Sequence, residues 1–170
     1  MAFSDVVDTH ERALLSYAAA FLRDDNLAQH VVQEAFMRAA RDPSRLFTIQ
    51  AQPNGVRNWL LKVVRDLSID SLRRKASERR ALNGRAAVIE HSTPGPDDVL
   101  EAREEEQART QRAKDALDAL RPRLRELLIL KVREQKSYKE IAEITGLTVT
   151  NVGFLLHQAM QELKKNVQSL

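Results

Sequence analysis

Apolar residues in this chain recur three and four positions apart, a spacing that predicts amphipathic helices. We expect a first helix from Ser4 to Arg23 and a second from Leu27 to Arg41, which Pro43 ends. A polar loop follows, and a third helix from Val56 to Arg80 carries its apolar stripe on one side and most of its basic residues on the other. Trp59 belongs to that stripe, so we assign it to the core.

The segment after the third helix has no helical period. NGRAAVIEHSTPGP contains two glycines and two prolines, which is typical of a linker. Helical pattern resumes near Asp97 and continues to about Leu120, and Pro122 opens a further helix that ends near Arg133. The pattern therefore predicts an all-α fold: two small helical domains, at 1–80 and 111–170, joined by a flexible linker at 81–110.

The C-terminal third has the pattern of a helix-turn-helix. Between Ser137 and Lys165, Ala142 allows two helices to approach, and Gly146 turns the corner between them. Thr148 is a plausible N-cap for a second helix that runs from about Val149 to Lys165. Such a helix enters a DNA major groove with its N-terminal half, where the outward positions are Thr148, Thr150, Asn151, Gly153, Phe154 and His157.

This recognition helix has no Lys or Arg between Thr148 and Glu162. Threonine and asparagine can bond base edges, but affinity for phosphate has to come from elsewhere. The available cations are Arg121, Arg123, Arg125, Lys131, Arg133, Lys136 and Lys139. The alternative is a helical hairpin that packs against protein instead of DNA.

Composition and charge agree with a helical protein that binds a polyanion. Aromatic residues make up only 5% of the chain, and glycine and proline number five each, which argues against an all-β fold. The segment from Lys62 to Arg85 contains eight basic and three acidic residues, whereas the segment from Asp97 to Glu106 contains six acidic residues and one basic residue. A basic helix beside an acidic linker suggests a nucleic-acid partner.

Several classes of protein are disfavoured by what the sequence lacks. There is no cysteine, no apolar run of the roughly 20 residues that a membrane span needs, and no N-terminal signal-peptide pattern. We therefore expect a cytoplasmic protein without membrane insertion. The four histidines are scattered, and no nucleophile motif or phosphate-binding glycine loop is present, so we expect a binding protein with no metal, no cofactor and no catalytic residue.

Three segments, taken in order, resemble the extracytoplasmic-function (ECF) sigma factors of bacterial RNA polymerase. They are AFLRDDNLAQHVVQEAFMRAAR, VRNWLLKVVRDLSIDSLRRK and ALDALRPRLRELLILKVREQKSYKEIAEITGLTVTNVGFLLHQA. The resemblance covers most of Asp5 to Ala76 and Gln111 to Lys165. It implies an N-terminal domain that binds the polymerase core and opens the promoter at the minus-ten element, and a C-terminal domain that reads the minus-thirty-five element. The linker would pass through the polymerase.

The resemblance also assigns roles to individual residues. The second helix looks like the segment that binds the polymerase clamp, and Gln33 and Glu34 match its QE pair. The residues expected at that contact are Gln29, His30, Gln33, Glu34 and Arg38. The third helix looks like the promoter-melting helix, matched by Trp59, Arg65, Asp70, Arg73 and Arg74. Together with the outward residues of the recognition helix, the expected DNA contacts are Arg65, Arg73, Arg74, Lys75, Lys139, Thr148, Thr150, Asn151, Phe154 and His157.

The chain departs from the family pattern at a few positions. Gln29 and His30 stand where acidic residues are usual, Asp66 stands where asparagine is common, and Gly153 and Leu155 stand where basic residues are usual. Three other interpretations stay open beside a sigma factor: a sigma-like decoy or adaptor that binds an anti-sigma factor without reading DNA, a stand-alone helix-turn-helix repressor, and an enzyme. An anti-sigma factor is also a conceivable partner of a true sigma factor.

Overall fold

The structure, a computed structural model, describes residues 2–82 and 101–169, and within those ranges every regular element is a helix. The N-terminal unit contains α1 (Phe3–Leu22), α2 (Asp25–Arg41), α3 (Pro43–Ile49) and α4 (Gly55–Leu82). The C-terminal unit contains α5 (Glu101–Asp118), α6 (Pro122–Leu128) with a π-helical extension (Ile129–Arg133), α7 (Tyr138–Thr145) and α8 (Val149–Gln168). The predicted all-α fold is confirmed. The predicted linker lies outside the described residues except at its two ends, which belong to α4 and α5.

Local signals explain where the helices begin. Asp24 caps α2 by accepting a hydrogen bond from the Leu27 amide at 2.9 Å, and Thr148 caps α8 through the Asn151 amide at 3.2 Å. Ser137 and Glu140 form a reciprocal capping box at the start of α7. The predicted N-cap at Thr148 is therefore confirmed.

The polar loop predicted after Pro43 is partly wrong, because its first half forms α3. Asp42 accepts a hydrogen bond from the Arg45 amide at 3.0 Å, and Pro43 occupies the first turn, where its missing N–H costs nothing. Gly55 then begins α4 in contact with the Ile49 carbonyl, at a place where any Cβ would collide with that oxygen. The loop between α3 and α4 is therefore short, and its residues are exposed.

A glycine in the left-handed region joins the two helices of the helix-turn-helix. Gly146 has a φ of 73° and ends α7, a conformation that strains other residues. Ile141, Ile144, Val152 and Leu156 are buried between α7 and α8, as their spacing predicts. This pair of helices rests on α6, and Leu124, Leu127 and Leu130 complete its core.

The two units pack against each other. Helix α7 lies on α4, and α6 reaches α1, so the buried side chains of both units form one continuous core. Tyr17, Leu14 and Leu60 from the N-terminal unit are fully buried in it, as are Leu127 and Ile141 from the C-terminal unit. Along the described ranges, no helix combines the length and apolar character that a membrane span requires.

Candidate nucleic-acid and polymerase interface

The polar residues predicted for polymerase binding share one face of α2. Gln29, His30, Gln33 and Arg38 are exposed, whereas Glu34 is half-buried and forms an i,i+4 ion pair with Arg38 at 3.3 Å. The opposite face is buried against α1 and α4 by Ala28, Val31, Val32, Ala35, Phe36 and Ala39. The helix therefore presents a mainly polar surface on a packed support.

Met37 is a further residue on this face that sequence reasoning missed. Its side chain is 50% exposed, and it lies one turn beyond Gln33 and next to Arg38 in the chain. An exposed, flexible apolar side chain among polar neighbours is typical of an interface anchor. Its spacing of four residues from Gln33 is the sequence signal that places Met37 on the same face of the helix.

The basic end of α4 is accessible. Arg73 and Arg74 are exposed, and the nearest acidic group to Arg73 is Asp70, at the 4.0 Å limit of an ion pair. Lys75 differs, because its Nζ lies 2.7 Å from the carboxylate of Asp24, the residue that caps α2. That contact lowers the pKa of Asp24. Arg73 and Arg74 are therefore the more available of the three predicted phosphate contacts.

Arg65 is only 17% exposed and is engaged by the other unit. Its Nε donates to Glu126 Oε1 at 2.6 Å, and the Tyr17 hydroxyl donates to the same oxygen at 3.0 Å. Burial raises the pKa of Glu126 even though Arg65 and Tyr17 stabilise its charge, and burial likewise raises the pKa of Tyr17. The predicted DNA contact at Arg65 is thus masked in this arrangement of the two units.

Trp59 packs against the edge of the core, so the sequence prediction that it belongs to the core is confirmed in part. Its ring is partly buried, and the guanidinium of Arg45 lies 5.6 Å from the ring centroid. Helix α3, which the sequence reading took for loop, brings Arg45 there. The indole therefore lies at the surface where the promoter-melting helix is expected to act.

Trp59 also lines an open cleft of about 660 Å³ between the units. Asn54, Asn58 and Lys62 line it from the N-terminal unit, and Lys139, Glu140, Glu143 and Ile144 line it from α7. The predicted DNA contact Lys139 is exposed and faces this cleft. Phe47 in α3 is not among the residues that line the cleft and is 75% exposed.

The outward residues of the recognition helix are where its register predicts. Thr148, Thr150, Asn151 and His157 are exposed, and Phe154 is 68% exposed. Gly153 is covered in part, because a Cβ at that position would touch the Tyr138 ring at 3.5 Å. Their contacts with bases stay a prediction.

Two of the cations expected to hold phosphates are buried, and this part of the prediction is wrong. Arg125 is 5% exposed and donates to the carbonyls of Asp118 and Phe21, and Lys136 is 3% exposed beside Glu140. Burial lowers the pKa of both groups. Arg125 joins the two units through the Phe21 carbonyl, Lys136 pairs with Glu140 within the C-terminal unit, and neither side chain faces solvent.

Glu134 and Glu140 provide two more contacts between the units. Arg57 Nη2 donates to Glu134 Oε2 at 2.6 Å, and the Asn54 and Asn58 amides donate to Glu140 Oε1 at 3.3 and 3.1 Å. Burial would raise the pKa of Glu140, but hydrogen bonds from Ser137 and Asn58 outweigh it and lower that pKa to about 2. Its carboxylate is therefore ionised at neutral pH.

Two family models match the chain. The Sigma-70 region 2 model matches residues 6–78 and the Sigma-70 region 4 model matches residues 110–163, so that each helical unit corresponds to one model. The region 2 match lies within four residues of both ends of the N-terminal unit, whereas the region 4 match begins inside α5 and ends inside α8.

Curated relatives are similar over nearly the whole chain. The probable RNA polymerase sigma factor RfaY of Xanthomonas campestris is 28% identical over 98% of this chain, which spans 40% of RfaY. The ECF RNA polymerase sigma factor SigW of Bacillus subtilis is 25% identical over 99% of this chain and 90% of its own length. The ferric citrate uptake sigma factor FecI of Escherichia coli is 26% identical over 95% of this chain and 88% of its own length.

Solved structures share the fold. The sigma factor RpoE of Bartonella quintana, crystallised with the anti-sigma factor NepR, superposes with a TM-score of 0.75 at 20% identity, covering 98% of this chain and 96% of that one. CnrH, in complex with the cytosolic domain of CnrY, superposes with a TM-score of 0.65 at 22% identity, covering 98% and 88%. At these identities the likeness concerns the fold.

Proposed function

Because the chain belongs to the sigma-70 family of transcription initiation factors, we propose that it is an ECF-type sigma factor that directs core RNA polymerase to specific promoters. The observation that carries the proposal is the pairing of region 2 and region 4, in that order, on the two helical units. The N-terminal unit (about 1–80) binds core polymerase through α2 and helps to separate the strands at minus ten through α4. The C-terminal unit (about 111–170) reads minus thirty-five.

The protein has no catalytic step of its own in this proposal. It works in the cytoplasm, where polymerase and promoter DNA are its partners, and an anti-sigma factor would control it. Positioning on DNA relies on exposed cations such as Arg73, Arg74 and Lys139, while specificity relies on the N-terminal half of α8.

Transcription with purified components tests the proposal directly. The protein is mixed with core polymerase and the DNA upstream of its own gene, and promoter-dependent transcripts are mapped. We expect transcripts with a defined start that neither the core alone nor the protein alone produces. A complex that forms with core but starts no transcript on any upstream DNA would contradict the proposal.

An adaptor that binds an anti-sigma factor without reading DNA is the second candidate. The absence of Lys and Arg between Thr148 and Glu162 favours it, because readers of DNA usually have cations on the recognition helix. The exposed ring of Phe154 also suits an apolar protein contact. The accessible cations at the end of α4 favour the sigma factor instead.

Replacing Phe154 with Ser separates two roles of the exposed ring, a contact with promoter DNA and a contact with an anti-sigma factor. If Phe154 contacts the thymine methyl or the groove, promoter-specific transcription should fall roughly 5- to 150-fold while core binding is retained, because the loss of one matched base pair costs about 1–3 kcal/mol. Met160→Ser is the matched control, since Met160 is exposed on the same helix but nearer its C-terminal end. Full transcription with Phe154→Ser, combined with escape from a co-expressed anti-sigma factor, would assign this ring to a protein partner.

A further inference from the structure

Sulfur chemistry in this chain is confined to methionine, because the sequence contains three methionines and no cysteine. The structure describes two of them, Met37 on α2 and Met160 on α8. Methionine is usually buried, but these two side chains are 50% and 53% exposed. Oxidants in solution therefore reach both thioethers, and of the two only Met37 lies on the face of α2 expected to contact core polymerase.

Met37 extends the polar face of α2 toward the C-terminal end of the helix. Gln33 precedes it by four residues and Arg41 follows it by four, so the three side chains project from successive turns of the same side. All three are exposed. An apolar side chain at such a place gains from contact with a partner, because that contact removes its surface from water.

Oxidation by a peroxide reverses the character of this side chain. The thioether sulfur attacks one oxygen of hydrogen peroxide, the O–O bond breaks and a sulfur–oxygen bond forms. The sulfur loses two electrons and the peroxide gains them, while the departing hydroxide takes the proton of the transferred hydroxyl and leaves as water. The product is methionine sulfoxide, which is polar and accepts hydrogen bonds, whereas the thioether is apolar.

Arg41 supplies a hydrogen-bond donor for the oxidised side chain on the same helix. It is exposed one turn after Met37, and it has no ion pair among the described residues. Its guanidinium can therefore donate to the sulfoxide oxygen in the free chain. Burial of Met37 sulfoxide against polymerase would then require both polar groups to lose water, which costs free energy. Oxidation thus removes an apolar contact and adds a desolvation cost at the same place.

We propose that Met37 is an oxidation site through which peroxides weaken the binding of this protein to core polymerase. The proposal rests on the proposed function, since it takes the polar face of α2 as the surface that contacts the polymerase. Methionine sulfoxide reductases restore the thioether, so the loss of affinity is reversible. The chain then responds to an oxidant without a cysteine and without a change of fold.

The test compares the full chain before and after oxidation. The protein is treated with hydrogen peroxide, the peroxide is removed with catalase, and the labelled protein is titrated with untreated core polymerase. Peptide mass spectrometry counts the oxygen atoms added at Met37 and at Met160. We expect the oxidised protein to bind about tenfold more weakly, which is typical of the loss of one contributing interface side chain. Treatment with methionine sulfoxide reductases should restore the affinity.

Met37→Leu and Met160→Leu form the matched pair of variants. Leucine is apolar and close to methionine in volume, but it has no sulfur to oxidise. The affinity of Met37→Leu, whatever its starting value, should not change on treatment with peroxide. Met160→Leu retains Met37 and should lose as much affinity as the unchanged chain. Met37→Gln imitates the polar product and should weaken binding without any oxidant.

Full affinity in a chain whose Met37 is oxidised, or an equal loss in treated Met37→Leu, would overturn the proposal. Circular dichroism of the treated chain should show unchanged helicity, and a loss of helicity would assign the effect to unfolding instead. The Gln33→Ala, Glu34→Lys variant separates this proposal from the proposed function. If oxidation has no effect but that variant loses core affinity, only the role of Met37 fails. If that variant also keeps full core affinity, the assignment of α2 to the polymerase fails as well.

Discussion

Core polymerase should lose most of its affinity for this protein when Gln33 becomes Ala and Glu34 becomes Lys. Both residues lie on the polar face of α2, and that face is supported from behind by a fully packed stripe. Central interface residues cost about 2–4 kcal/mol on replacement, which corresponds to a loss of roughly 30- to 1,000-fold. Titration of labelled protein with core polymerase measures the loss.

The expected loss of affinity for core polymerase has two causes, the reversed charge at Glu34 and the lost contacts of both side chains. Glu34 holds Arg38 at 3.3 Å, so a lysine in its place repels Arg38 and presents two cations where an anion and a cation had been paired. Fold stability should change little, because neither side chain belongs to the core.

Met37→Ala should weaken the complex with core polymerase through lost apolar contact without any charge effect.

Glu11→Lys supplies the matched control for that result. It makes the same change of charge at an exposed position of α1, away from the α2 face. Circular dichroism should show unchanged helicity in both variants. Retention of full core affinity in the Gln33 and Glu34 variant would move the polymerase contact to another surface.

The local pattern of apolar and polar residues is sufficient to predict most helices and the exposed faces of α2 and α8. The caps at Asp24 and Thr148 act over three residues, and the buried positions of α7 and α8 follow the helical period, so both can be deduced from neighbours in sequence. Helix α3 was missed although Asp42 and Pro43 form an ordinary helix start. The polar content of that segment outweighed the signal.

The contacts between the units had no local signature. Arg65 meets Glu126 across 61 positions and Tyr17 meets Glu126 across 109, so no window of sequence contains both partners. The sequence predicts Arg125 and Lys136 as surface cations, because charged residues are rarely buried unless paired. Their partners lie in the other unit or across a turn, and only the packed structure brings them together.

Neutralising Arg73 and Arg74 should make promoter binding by the holoenzyme both weaker and less dependent on salt. Their exposed guanidinium groups lie on consecutive positions in the C-terminal half of α4, where a phosphate backbone can contact both. Each phosphate contact adds about 0.7 to 0.9 to the slope of log affinity against log salt. Replacing both with Ala should therefore lower the magnitude of the slope by about 1.4 to 1.8.

Lys164→Ala with Lys165→Ala removes the same charge from exposed positions near the end of α8 and should leave the slope nearly unchanged. Lys75→Ala should lower the salt slope less than replacement of either arginine does. Lys75 already pairs with Asp24 at 2.7 Å, so it releases fewer counterions when DNA binds. Binding is measured by titrating labelled promoter DNA with holoenzyme at several salt concentrations. Equal slopes for the arginine variant and the unchanged protein would mean that Arg73 and Arg74 only solvate the helix and that phosphate contacts lie elsewhere.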